Sequence, residues 1–203
     1  ISVYKYTCHL RKLLMSVLLQ WRLLRHLILK ARYSGFTLLE LLVTIVIVGI
    51  LSAIALPAFL NQANKAKQVE AKAYIGTMNR AQQAYFLEKD SFTIQLEELG
   101  LGTPSQTINY RYTITLNASG DGGNGSVVTN QAQVVQAISP LKAYVGGVKI
   151  TPSALGDGAV TLARMCEGFK TQQLGGPNGS QSMAGGLIGE PPDCPADYVN
   201  LSD

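Results

Sequence analysis

Residues 36–60 read FTLLELLVTIVIVGILSAIALPAFL. From Leu41 to Asn64 no side chain carries a charge, a run of 24 residues. About 20 apolar residues suffice to cross a bilayer as a helix. Basic side chains precede the run, so the positive-inside rule places the N-terminus in the cytoplasm and the remainder outside. A secretory signal would end in small residues and a cut at the far end of the run. Here Pro57-Ala58-Phe59-Leu60 follows and the helical pattern continues, which favours an anchor. Glu40 is the one acid near the start of this stretch. A carboxylate in an apolar span costs several kcal/mol unless paired, so it is a functional candidate.

Working outward toward the N-terminus, residues 1–35 hold Lys5, Arg11, Lys12, Arg22, Arg25, Lys30 and Arg32, and no acid. The rest holds the other 10 of the 17 basic residues and all 13 acids, a net charge of −3. The basic pI of 9.0 therefore belongs to a leader. A mildly acidic remainder has no general attraction to a phosphate backbone, which disfavours nucleic acid as a partner. Met15 is a candidate start that gives a 21-residue leader ending at Gly35, so residues 1–14 carry little weight. Residues 16–29, with Arg22, Arg25 and His26 among leucines, read as a leader docking on the membrane. His9, His26, Trp21 and Cys8 lie in the leader. With the leader removed, histidine catalysis and His-ligated metal sites are excluded. Cys166 and Cys194 remain, an even pair that reads as a disulfide in an exported chain. Two free thiols are the alternative, and a zinc site would lack ligands.

Beyond the anchor, residues 61–90 continue as a polar half of the same helix. Ala66, Val69, Ala73, Met78, Ala81 and Tyr85 fall near helical spacing and give one apolar stripe. A helix over 36–90 would be about 80 Å long. Past residue 100 the period changes. Segments 107–117, 126–138, 142–150 and 158–166 read as strands. SGDGGNG (119–125), Ser139-Pro140 and TPSALGDG (151–158) supply turn chemistry between them. SGDGGNG lacks the acidic spacing of a calcium loop and reads as a hairpin tip. The tail, 167–203, is rich in Gly and Pro, reads as irregular, and faces outward in this reading. Tyr110, Tyr112, Tyr144 and Phe169 are assigned to the core or a sheet face. The fold class is α+β: a long N-terminal helix packed on an antiparallel sheet of about four strands, with a Cys-closed C-terminal loop. The divisions are a leader at 1–35, an anchoring helix at 36–60 and a globular domain at 61–203.

The string SGFTLLELLVTIVIVGILSAIALPAF, from Ser34 to Phe59, resembles the processing motif of type IV prepilins and pseudopilins. The resemblance implies that a membrane peptidase cuts after Gly35 and methylates the new amino group of Phe36. It implies that Glu40, five residues into the mature chain, serves assembly. Gly49 and Pro57 match the places where pilin helices carry a Gly and a Pro, and Pro57 should kink or open the helix. Gly35 offers a protease an unhindered backbone. The segments MNRAQQAYFLE (78–88), LKAYVGGV (141–148) and Cys166-Glu167 are similar to the cyanobacterial pilin-like G/H group.

The resemblance implies a non-enzymatic subunit of a type IV pilus, serving adhesion, twitching motility or DNA uptake, with no cofactor. Its partners would be copies of itself and other pilins, a prepilin peptidase and methyltransferase, an inner-membrane assembly platform, and lipid before assembly. The precursor would sit in the inner membrane and the product in an extracellular fibre. Rival readings are a minor pilin or a type II secretion pseudopilin. A rival of another class is a single-pass anchored binding protein that never polymerises.

Overall fold

Helix α1 spans Leu38–Lys89, 52 residues, and passes through Pro57. The computed structural model describes residues 35–102, 104–117, 127–152 and 158–201. The leader up to Ser34, the SGDGGNG tip and residues 153–157 lie outside the described residues. The chain falls into two compact units, Ile1–Pro57 and Ala58–Asp203. α1 ends because Asp90 turns left-handed, with a φ of 54°. Its N–H still donates to the Phe86 carbonyl at 2.8 Å, which closes the last turn.

In the second unit five strands follow: β1 (Tyr110–Asn117), β2 (Val127–Val134), β3 (Tyr144–Pro152), β4 (Ala159–Gly168) and β5 (Tyr198–Asn200). They lie in sequence order, every neighbouring pair antiparallel. The meander is as the sequence reading expects, with one strand more. β5 lies in the tail and pairs Tyr198 with Gly168, where only irregular chain was expected. Three residues are too few to show an alternating pattern in sequence.

The helix buries Ala71, Ile75, Met78, Asn79, Gln82 and Phe86. Of the expected stripe only Met78 belongs to that arc, and Val69 is 62% exposed. The reason is that two polar residues sit in the buried arc with their hydrogen bonds met. Asn79 Nδ2 donates to the Arg164 carbonyl at 3.2 Å, and Asn130 Nδ2 donates to Asn79 Oδ1 at 2.9 Å. Gln82 Nε2 donates to the Thr93 carbonyl at 2.7 Å, while the Thr93 N–H donates back to Gln82 Oε1 at 3.2 Å. This pairing fixes the chain reversal after α1. An apolar count alone drifts off a face that includes satisfied amides.

Adjacent glycines in β3 let material approach both faces of the sheet. A Cβ on Gly146 would stand 2.5 Å from Asn79 Oδ1 and from Ile75 Cγ2, on the helix side. A Cβ on Gly147 would stand 2.8 Å from the Met183 sulfur and 3.1 Å from Pro192 Cγ, on the other side. The tail is thus a third layer. Met183 is fully buried, and its N–H donates to Thr129 Oγ1 at 3.0 Å. Gln131 Nε2 donates to the Ser180 and Gln181 carbonyls at 3.0 and 3.1 Å. The tail is therefore packed rather than loose: covering the sheet removes from water the second face of β2, which is buried almost throughout. Tyr110, Tyr112 and Tyr144 are core, as expected, and Tyr112 stacks on Tyr74 at 4.7 Å. Phe169 falls just past the end of β4 and is 63% exposed.

Candidate functional site

The start of α1 is built from four residues. Gly35 and Phe36 precede the helix in open chain, and nothing lies within 4 Å of a Cβ placed on Gly35. Thr37 and Glu40 then form a reciprocal cap. The Glu40 N–H donates to Thr37 Oγ1 at 3.2 Å. Glu40 Oε2 accepts from the Thr37 N–H at 2.9 Å and from the Thr37 hydroxyl at 3.0 Å. The Leu41 N–H donates to the Thr37 carbonyl at 3.2 Å. This is a capping box, which satisfies helix donors that would otherwise lack partners. Sequence reasoning singled out Glu40 and missed Thr37, although the spacing Thr37-x-x-Glu40 is itself a readable helix-start signal.

The cap matters chemically because no residue after it carries a charge as far as Asn64. Within residues 35–57 no side chain is buried. An 18-residue window of α1 reaches a mean hydropathy of 2.7, enough in length and composition to cross a membrane. Glu40 is thus a carboxylate whose partner in the single chain is its own helix start. A cut after Gly35 would free the amine of Phe36 four positions before Glu40, one helical turn away. The backbone is assigned as helix through Gly49 and Pro57 alike, so neither residue ends α1 here. Proline removes one donor and its ring presses on the preceding turn, but the remaining ladder on both sides carries the helix.

Cys166 and Cys194 form a disulfide, with Cα atoms 5.8 Å apart. It ties the covering tail to β4. Beside it, Glu167 receives Lys142 Nζ at 2.6 Å and Lys72 Nζ at 2.7 Å, joining the helix to the sheet. Burial alone would raise the Glu167 carboxyl, but the two ammonium groups outweigh it and hold it below its ordinary 4.5. Burial pushes the phenols of Tyr110, Tyr112 and Tyr144 up, so they stay neutral. Among the described residues no group of three His, Cys, Asp or Glu side chains could hold a metal ion. Sequence reasoning also missed Lys149, fully buried with its ammonium donating to the carbonyls of Gly185, Gly186 and Leu187. A lone lysine within a strand gives no signal of such a role.

The comparisons with known proteins agree with this arrangement. The family model for type IV pilin-like G and H matches residues 68–195, and that for the prokaryotic N-terminal methylation motif matches residues 30–56. The type IV major pilin protein PilA of Myxococcus xanthus is 39% identical over 90 residues, covering 44% of this chain and 40% of that protein. The fimbrial protein EcpC of Eikenella corrodens is 33% identical over 99 residues, covering 49% of this chain and 63% of that protein. Core protein G of the type II secretion system of Aeromonas hydrophila is 40% identical over 63 residues, covering 31% and 44%. The chain therefore matches less than two thirds of the length of each of these relatives. No solved structure matches. With its own family model spanning more than half of its length, over most of the amphipathic half of α1, strands β1 to β4 and the tail as far as the disulfide, the chain belongs to the type IV pilin-like G and H family.

Proposed function

We propose that the chain is a structural subunit of a type IV pilus. It is made as a prepilin, cut after Gly35, methylated on the Phe36 amine and polymerised through its apolar helix. The observation that carries this reading is the uncovered apolar run from Phe36 to Leu60, which starts at a Gly-aromatic junction and holds one acid, Glu40. Such a surface is stable only in lipid or against other copies. Both environments belong to the life of a pilus subunit, first in the inner membrane and then in a fibre. In lipid, Glu40 is satisfied by its own cap. In the fibre, the Phe36 amine of a neighbour neutralises it and fixes axial register. Loosening of α1 between Gly49 and Pro57 during packing would let the fibre stretch.

The partners of this reading are copies of the chain, other pilins, a peptidase with methyltransferase activity, and a membrane assembly platform. The N-terminus of the precursor is cytoplasmic. The chain itself performs no catalysis, and its task lies in attachment, motility or DNA uptake. The similarity to a secretion-system core protein supports a second reading, a pseudopilin of a short periplasmic fibre. Abundance in sheared surface material separates the two.

The experiment is the intact mass and N-terminal sequence of the chain from a sheared cell-surface fraction. The expected product begins with N-methylated Phe36, lacks Trp21 and is lighter by two hydrogens for the Cys166–Cys194 bond. A chain confined to the membrane with its leader intact would overturn the proposal in favour of a non-polymerising anchored protein.

A further inference from the structure

Two surfaces of the Ala58–Asp203 unit remain without a role, and they lie at opposite ends of β3. The first is the loop after Met183. Lys149 is 1% exposed and forms no ion pair among the described residues. Its ammonium instead takes the carbonyls of Gly185, Gly186 and Leu187. The Gly189 N–H donates to Thr151 Oγ1 at 2.9 Å, and the Asp193 N–H donates to the Ala184 carbonyl at 3.0 Å, closing the loop at its base. With those carbonyls drawn inward, Leu187 and Ile188 stand outward at the tip, each 70% exposed. The buried ammonium, satisfied by these carbonyls, thus holds two adjacent aliphatic side chains in water, an apolar tip that an occupant could cover.

The second surface is a groove of about 490 Å³ between the helix and two loops, lined by Asn61, Lys65, Gln68, Pro140, Thr171 and Leu174 among others. The Gln172 and Gln173 N–H groups donate to the Leu141 and Ser139 carbonyls at 3.1 and 2.9 Å, which holds the two loops together. Tyr144, the first residue of β3, donates its hydroxyl to Gln68 Oε1 at 3.1 Å and so marks this end of the strand. Thr151 and Lys149 mark the other. At the rise of a strand, the two ends stand roughly 20 Å apart. Their chemistry is complementary: Pro140 and Leu174 supply apolar walls, and Lys65 faces the groove. Glu190 follows the apolar tip. Neither Lys65 nor Glu190 forms an ion pair among the described residues.

We infer that the Leu187–Ile188 tip of one copy seats in the Pro140–Leu174 groove of the next, with Glu190 against Lys65. A contact between two different surfaces is heterologous, and when it does not close it propagates an open fibre. Because the two surfaces lie at opposite ends of β3, one copy can use both at once, each toward a different neighbour. The inference rests on the self-assembly reading and deepens it, naming which parts of the globular unit meet. The apolar tip supplies contact area, and the charge pair selects the register.

The test uses full-length chain in cells that assemble it. In an Ile188→Cys, Leu174→Cys double variant, oxidation should link sheared material into dimers and longer ladders. Each single variant should give none. Glu190→Lys and Lys65→Glu should each lower the yield of sheared fibre by about tenfold through like-charge contact, and the two together should restore most of it. Wild-type fibres with no ladder from the double-cysteine variant would overturn the inference and leave the pilus reading standing. So would a charge swap that fails to restore yield. Wild-type chain that never self-associates would overturn both, and the wild-type control keeps the two failures apart.

Discussion

Glu40 caps α1, and a single substitution can separate that from the role in assembly proposed for it. Gln retains the acceptor that a capping box needs at the third helical position, while Ala removes it. Gln also removes the charge. Glu40→Gln should therefore keep the helix start and normal cleavage yet lower fibre yield as severely as Glu40→Ala. Electron microscopy and N-terminal sequencing check this, and normal fibres from the Gln variant would reduce Glu40 to a cap. Gly146 offers a second test at this scale. A methyl there would overlap Asn79 and Ile75 at 2.5 Å, and both sit on a helix that the core holds in place. Gly146→Ala should cost about 1–3 kcal/mol by overpacking. Gly76→Ala on α1, where the nearest outside atom is Arg80 Nη1 at 3.9 Å, should instead stabilise by about 0.5–1 kcal/mol. Denaturant unfolding in detergent reads both signs. Gly146 was visible in sequence only as part of a strand with an unusual Gly-Gly pair. That the pair serves two faces depends on which layers cover the sheet, and the strand pattern holds no record of them.

The elements divide by how local their signals are. α1 and four strands were legible because each runs eight residues or more, α1 as an uncharged span continued by helix formers and the strands as runs rich in β-branched and aromatic residues between turn signals. The third layer was not, since residues 175–195 hold themselves by hydrogen bonds to β1, β2 and β3 and by one disulfide. Those contacts are long-range and leave no periodicity. The disulfide spans 28 residues, so replacing both cysteines with serine should cost between about 3 and 4 kcal/mol. Hydrogen exchange should show the Met183 amide losing protection before the amides of β2. Equal protection in the variant would mean that Lys149 and the Gln131 bonds hold the layer unaided. The junction of helix and sheet adds a pH dependence. Glu167 is lowered in the folded chain, so its contribution is present above 4.5 and lost as pH falls through the folded value. Thermal unfolding should decline below pH 4.5, and Glu167→Gln should flatten that decline while lowering stability at neutral pH.

At the scale of the whole molecule, cleavage and release are separate events. In the proposed reading, a cut after Gly35 would remove the basic leader and leave the apolar run from Phe36 intact. Affinity for hydrocarbon scales with the apolar area transferred, so a cleaved chain is held by the bilayer about as firmly as an uncleaved one. The remainder carries a net charge of −3, which opposes contact between copies outside the membrane at low ionic strength. Extraction from lipid therefore needs neighbours that cover the whole run together, while its acid is neutralised. Three populations should follow in cell fractions. Uncleaved chain from a Gly35 variant and cleaved but unassembled Glu40→Gln chain should both resist alkaline carbonate and both dissolve in mild detergent. Wild-type fibre should leave the cells on shearing without detergent. If the cleaved Glu40→Gln chain were instead found free in the medium, the run would not be an anchor after cleavage, and covering it would not be what drives assembly.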